Sequence, residues 1–301
     1  MAGGYKENAI RTKAEMASLQ MPGKTLRIGI MAPASRIDQA LAEQVSALAA
    51  SLYGARVQLH FHPQCFLSSG HFAGTDGERT GAFVEIANDP SFDALWFARG
   101  GYGSCRLLEQ ALPQLTREAT NKTYMGYSDT GALLAGLYAK AFRSIVHGPM
   151  PADLKRHDGI KAVTRALRYL VEGANDTFEP SAIATGPSAA FNITILSQLL
   201  GTPYEPDLTA HTLMLEEIDE HMYRIDRSFF HITSNPRIRK VAGIRLGRCS
   251  RIPPNDIDFG ADEVAVVKHW CAQSGIPYLG RADIGHDVEN KIVPFGSFAV
   301  A

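Results

Sequence analysis

Three residue types that together make a hydrolytic centre stand far apart in this chain: a serine at Ser128, a glutamate at Glu216 or Glu217, and a histidine at His286. A serine hydroxyl becomes a nucleophile when a base takes its proton, and an acid beside the base fixes its tautomer and stabilises its charge. Ser128 lies in Gly126-Tyr127-Ser128-Asp129-Thr130, between a β-prone run ending at Tyr127 and an apolar, proline-free stretch from Thr130 to Ala141. The predicted order is strand, sharp turn and buried helix, which sets the serine beside the N–H groups of a helix start. The pattern is G-x-S-x-T, one glycine short of the full nucleophile elbow. The plain structural alternative is that Ser128 or Asp129 caps the helix.

His286 occupies Ile284-Gly285-His286-Asp287, a glycine-flanked turn that can aim a side chain into a cleft, although polar loop residues are also ordinary surface. Glu216 and Glu217 end an otherwise apolar run, so one of them is expected to face inward, where a carboxylate needs a partner. The chain order Ser, Glu, His is one that supports a triad. Arg99-Gly100-Gly101-Tyr102-Gly103 follows a predicted strand, and its glycines let backbone N–H groups approach a ligand. An oxyanion hole needs two such donors, and Gly101 and Asp129 are the candidates. A phosphate loop is disfavoured, since no Gly-Lys-Ser/Thr follows and the G-x-G-x-x-G spacing is missing. His60 and His62 alternate as a metal pair might, but no H-E-x-x-H accompanies them, and neither metal nor cofactor is expected. Arg99, Tyr102, Tyr127, Tyr223 and Arg224 are candidates to line a cleft; packing or solvated surface is the alternative.

Positioning these groups requires a sheet. Leu26–Pro33 reads as the first strand, Asp38–Leu52 carries apolar residues at helical spacing and stops at Gly54, and Arg56–Phe61 reads as the next strand. This β-α-β opening implies a parallel sheet flanked by helices. Gly70–Glu78 reads as a polar loop, Arg79–Asn88 as a helix, Asp93–Ala98 as a strand, and the segment SIVHGPM as the last strand of this half. Later, Ile160–Glu172 and Phe191–Leu200 read as helices, 211–218 as a strand, Tyr223–Thr233 as a helix, 241–247 as a strand and Asp262–Gln273 as a helix. Short strands are expected to close the chain. The organisation is an arm over 1–25, a domain over 26–165 holding the elbow, and a second domain over 166–301 with the Glu and His. Composition is that of an ordinary globular chain of 301 residues: 45% hydrophobic, 20% charged, net charge -1. No basic field argues for nucleic acid or membrane. Four scattered cysteines form no C-x-x-C, and neither an export signal nor a membrane span is visible, so a reduced, cytoplasmic setting is expected.

Six separated stretches carry a family resemblance: IGIMAPAS, ARGGYGSCRLL, GYSDTGAL, NITILSQLLGTPY, LEEIDEHMYRIDR and GHDVENKIVPFG. Together they resemble the LD-carboxypeptidases, serine peptidases that include muramoyl-tetrapeptide carboxypeptidases and microcin C self-immunity peptidases. The resemblance implies an α/β fold with an N-terminal parallel domain of flavodoxin- or glutamine-amidotransferase-like kind. It also implies a C-terminal barrel-like mixed-sheet domain, a cleft between the two, and a homodimer. It places the nucleophile at Ser128, the acid at Glu216, the base at His286 and the oxyanion amides at Gly101 and Asp129. Four positions depart from the pattern: Glu217 stands where an aspartate is usual, Gly131 replaces a threonine, Phe191 replaces a glycine, and Asp287 replaces a small residue. The expected function is release of terminal D-alanine from murein tetrapeptides in cell-wall recycling. Alternatives are an immunity-type amidase acting on aminoacyl-nucleotide analogues, towards which TGALLAGLYAK leans, and a non-catalytic peptide-binding protein.

Overall fold

The structure is a computed structural model that describes residues 24–184 and 186–297; the expected arm falls almost wholly outside them. Strands β1 (Leu26–Met31), β2 (Val57–Phe61), β3 (Ala94–Phe97), β4 (Thr123–Gly126) and β5 (Ile145–His147) form a parallel sheet. The order is β10-β5-β4-β3-β1-β2, and β10 (Val293–Pro294), from near the end of the chain, joins antiparallel at the β5 edge. SIVHGPM does supply β5, the last strand of this half in chain order, and the sheet is then extended by β10 from the far end of the chain. Of the expected closing strands, Val293–Pro294 is the one that forms after Arg281 among the described residues; the polar 283–291 stretch is held in bends and turns.

The central strands are buried on both faces, so alternate residues feed two cores, while β2 at the edge is half exposed. Ile28, Ile30, Trp96 and Met125 pack against helices α1 (Gln39–Tyr53) and α5 (Gly159–Glu172). Met31, Leu95, Phe97 and Tyr124 pack against α2 (Asp76–Asn88), α3 (Leu108–Ala111) and α4 (Gly131–Ala139). α1 starts where Asp38 accepts a hydrogen bond from the Leu41 N–H at 2.8 Å, and ends at Gly54 in a positive-φ conformation. α2 begins three residues before the predicted Arg79. Thr75 and Glu78 form a reciprocal capping box there, and the polar first turn is what looked like loop.

The second sheet has order β6-β7-β8-β9: β6 (Ser188–Asn192), β7 (Thr212–Ile218), β8 (Gly243–Ser250) and β9 (Tyr278–Arg281). Its four strands run parallel, and an antiparallel bridge between Ser188 and Gly296 ties β6 to the segment after β10. The helix expected from Phe191 overlaps only the last two residues of β6, and no strand is expected over Ser188–Ala190. Its Ser-Ala-Ala-Phe-Asn run has little β-propensity and is buried throughout, so the α6 helix (Ile193–Leu199) begins two residues later than predicted. Helices α7 (Met222–Ser234) and α8 (Glu263–Ser274) cover this sheet. Among the described residues no helix is long and apolar enough to cross a membrane.

Candidate active site

The turn after β4 is tight because it has to be. A side chain at Gly126 would put its Cβ 2.4 Å from Thr130 Oγ1 and 2.9 Å from the Phe97 ring, and Thr130 Oγ1 itself donates to the Tyr127 carbonyl at 2.9 Å. The chain bends at Ser128, held at φ +60, a left-handed conformation that costs an L-residue about 1–2 kcal/mol. α4 follows, apolar on all sides and buried from Gly131 to Leu137, so the elbow rests on a rigid support.

Two further elements converge on this serine. Near the end of β7 Glu216 is fully buried, and β8 makes room for it: between Leu246 and Cys249 it carries one residue more than β7 does between Leu215 and Glu217. At this bulge sits Gly247, where a Cβ would lie 2.8 Å from the Glu216 Cβ and 2.7 Å from Ile284. The 283–287 turn then lays His286 between the two domains. Its Nδ1 is 2.6 Å from Glu216 Oε2 and its Nε2 is 2.9 Å from Ser128 Oγ. A carboxylate only accepts, so Nδ1 carries the proton and Nε2 faces the hydroxyl as an acceptor. Burial pulls the His286 pKa down, but the charge and hydrogen bond of Glu216 outweigh it, and the imidazole sits above its ordinary value. A Tyr127 ring 4.9 Å from the imidazole completes the packing, with its hydroxyl donating to Asp153 at 2.7 Å.

The glycine turn after β3 is locked to the elbow by Asp129. Its carboxylate accepts from the N–H groups of Gly103 at 3.2 Å and Ser104 at 2.9 Å. Burial raises the Asp129 pKa, with those hydrogen bonds working the other way. Gly100 lies so close that a Cβ there would be 3.1 Å from Ser128 Oγ, and Gly101, at φ +120, packs where a Cβ would meet Ser35 Oγ at 2.4 Å. Gly100 is tightly approached by the serine, and the left-handed backbone of Gly101 is what excludes a side chain there. Gly101 and Ser128 line a common cavity of about 490 Å³ with His286, Arg99, Arg156 and Arg251.

A nucleophile, base and acid in hydrogen-bond series, beside a glycine turn, is an arrangement suited to acyl transfer. The family model described as the LD-carboxypeptidase N-terminal domain matches residues 28–148, and that of the C-terminal domain matches 185–300. The chain belongs to the LD-carboxypeptidase family. It is 27% identical over 282 residues to a Bacillus subtilis protein named "Probable murein peptide carboxypeptidase", covering 90% of this chain and 87% of the other. A solved muramoyltetrapeptide carboxypeptidase from Oxalobacter formigenes shares the fold, with TM-score 0.74, 23% identity and coverage of 90% and 92%. The microcin C7 self-immunity protein MccF, solved in complex with aspartyl sulfamoyl adenosine, shares it too, with TM-score 0.73, 20% identity and coverage of 90% and 91%.

In this member of the LD-carboxypeptidase family the other candidates sort by position. Arg99 lines the cavity and is exposed; its guanidinium donates to the Arg36 carbonyl at 3.3 Å. Tyr102 points elsewhere, against Phe72 and His71, and Arg224 lies on the α7 surface with Tyr223 and Glu220; neither lines the cavity. His60 packs on Phe92 from the exposed side of β2, and His62 caps the following turn, accepting from the Gln64 N–H. Glu217 turns away from the cavity. It accepts hydrogen bonds from Thr194 at the start of α6 and from Asn192, while burial and the Glu216 charge raise its pKa. Asp287 does not face the base: Arg248 grips it with two hydrogen bonds and also binds Asp283, so the acidic departure anchors the turn that carries His286. Gly131 and Phe191 answer each other, since a Cβ at 131 would lie 3.6 Å from the Phe191 ring. The sequence reading missed Asp153, Arg156, Asp219 and Arg251. Arg156 and Asp153 are an i, i+3 pair just past β5, a spacing that could have signalled them.

Proposed function

We propose that this chain is a cytoplasmic, homodimeric serine carboxypeptidase that releases the terminal D-alanine of murein tetrapeptides during cell-wall recycling. What supports the reading is the hydrogen-bonded series Ser128, His286, Glu216, in a chain of this family. Ser128 Oγ attacks the scissile carbonyl as His286 Nε2 takes its proton, and Glu216 holds the resulting imidazolium. The N–H groups of Gly101 and Asp129 bind the oxyanion, whose stabilisation by one such donor is typically worth about 10²–10³ in rate. His286 then returns the proton to the leaving amine, and water enters by the same base to free the enzyme.

A carboxypeptidase must also read its substrate's free carboxylate. Arg99 is the cavity guanidinium suited to it. Lys155 is paired with Asp38, Arg156 with Asp153 and Arg251 with Asp219, whereas Arg99 has no carboxylate partner among the described residues. Mass spectrometry of wild type and Ser128→Ala, incubated with a murein tetrapeptide and separately with an aminoacyl adenylate analogue whose labile ester is replaced by an amide-type linkage that a peptidase can cut, tests the reading. Loss of one alanine residue by wild type alone is expected. Substantial turnover by Ser128→Ala refutes the mechanism, and cleavage confined to the adenylate analogue refutes the substrate.

A further inference from the structure

Six non-glycine residues among those described have left-handed backbones, and three of them, Ser128, Asp219 and Arg251, line the same cavity. The elbow accounts for Ser128. Asp219 and Arg251 are a second strained feature, and they are neighbours. β7 and β8 end in register, Ile218 opposite Ser250, and the Asp219 N–H donates to the Ser250 carbonyl at 3.1 Å. Each strand then turns left-handed at its next residue, with φ +62 at Asp219 and +52 at Arg251. Aspartate tolerates this conformation better than most residues, but arginine gains nothing local from it. What the turn does is throw both side chains over the carboxyl ends of parallel strands, where ligands of open α/β sheets bind.

The two side chains pair at 2.5 Å, with 67% of Arg251 and 57% of Asp219 exposed. A pair so wet is worth about 0–1 kcal/mol, too little to justify two strained residues and weak enough to be exchanged. Of the other facing cations, Lys155 is paired with Asp38 and Arg156 with the buried Asp153, while Arg99 is the one assigned to the terminal carboxylate.

We propose that Arg251 is a specificity residue: it leaves Asp219 to receive a second substrate carboxylate, remote from the scissile bond, so that the enzyme prefers acidic peptides. The proposal rests on the carboxypeptidase reading above and deepens it. Arg99 takes the terminal carboxylate and Arg251 an internal one, and the released Asp219 faces solvent.

The test is calorimetric titration of Ser128→Ala and Ser128→Ala/Arg251→Gln with two murein tetrapeptides, one with internal carboxylates free and one with them amidated, both keeping the terminal carboxylate. Ser128→Ala should bind the free-acid peptide about tenfold more tightly, the scale of a charge-assisted hydrogen bond of about 1.5 kcal/mol. Arg251→Gln should erase that difference and leave the amidated peptide unchanged. Arg251→Gly, which removes the backbone strain, should fold at least as stably and bind as Arg251→Gln does. Equal weakening of both peptides, a preference that survives the substitution, or no binding of either peptide would overturn the proposal. So would an Arg251 effect seen only with adenosine monophosphate, which would assign the residue to a phosphate. Failure of the catalytic reading shows separately, as turnover that survives Ser128→Ala, and leaves this binding comparison readable.

Discussion

Burial alone would make His286 a weaker base than a free imidazole, and Glu216 reverses that. The sign has a kinetic consequence. In the proposed mechanism only neutral imidazole accepts the Ser128 proton, so kcat/KM should rise with pH through a midpoint above the ordinary histidine value of 6.5. Glu216→Gln removes the charge that raises the pKa, so the midpoint should fall, and kcat should drop by about 10⁴, the scale seen when a triad acid becomes an amide. A pH profile that moves upward, or an unchanged kcat, would remove Glu216 from the mechanism. At this scale the sequence was informative where chemistry and local geometry coincide: Ser128 in a strand-to-helix turn and His286 between turn-forming residues. Arg251 was invisible because its meaning lies in a backbone conformation and in Asp219, 32 positions away.

At the scale of elements, the site depends on how closely strands approach. Gly247 in β8 leaves the gap that Glu216 fills, so Gly247→Ala should cost about 1–3 kcal/mol by overpacking and lower kcat through a displaced Glu216. Chemical denaturation with steady-state kinetics checks both; stability lost without any change in kcat would separate the bulge from the acid's position. Gly131 behaves oppositely. A Cβ there meets Ile195 and the Phe191 ring at ordinary distances of 3.5 and 3.6 Å, so Gly131→Ala should raise stability by up to about 1 kcal/mol through helix propensity. The branched side chain of Gly131→Thr would reach Phe191 and should lower stability. Periodicity located α1 and α7, which each present an apolar face to a sheet, whereas α4 was legible as an unbroken apolar, proline-free run. It missed β6, whose small residues are strand only because β7 pairs with them from Ser188↔Thr212 to Asn192↔Glu216.

Over the whole molecule, the core under α4 runs without a break into the second sheet, through Leu134, Phe191, Leu213 and Phe229. β10 adds a backbone tie, returning from beyond β9 to pair with β5. Calorimetry should therefore show one cooperative unfolding transition for both sheets. Phe191→Ala, which empties the space beside Phe295, should lower the stability of that single transition by about 3–5 kcal/mol. Two separate transitions would contradict a shared core. The sequence by itself determined the α/β class and the strand-turn-helix around Ser128, and it offered His286 and either Glu216 or Glu217 as its partners, because side-chain chemistry and short-range periodicity are local properties. The tertiary structure decided that Glu216 rather than Glu217 meets His286, that Asp287 serves Arg248, and which arginines reach the cavity. Those outcomes depend on a bulge, on parallel register and on the packing of two sheets, and such long-range pairings leave no period in the chain.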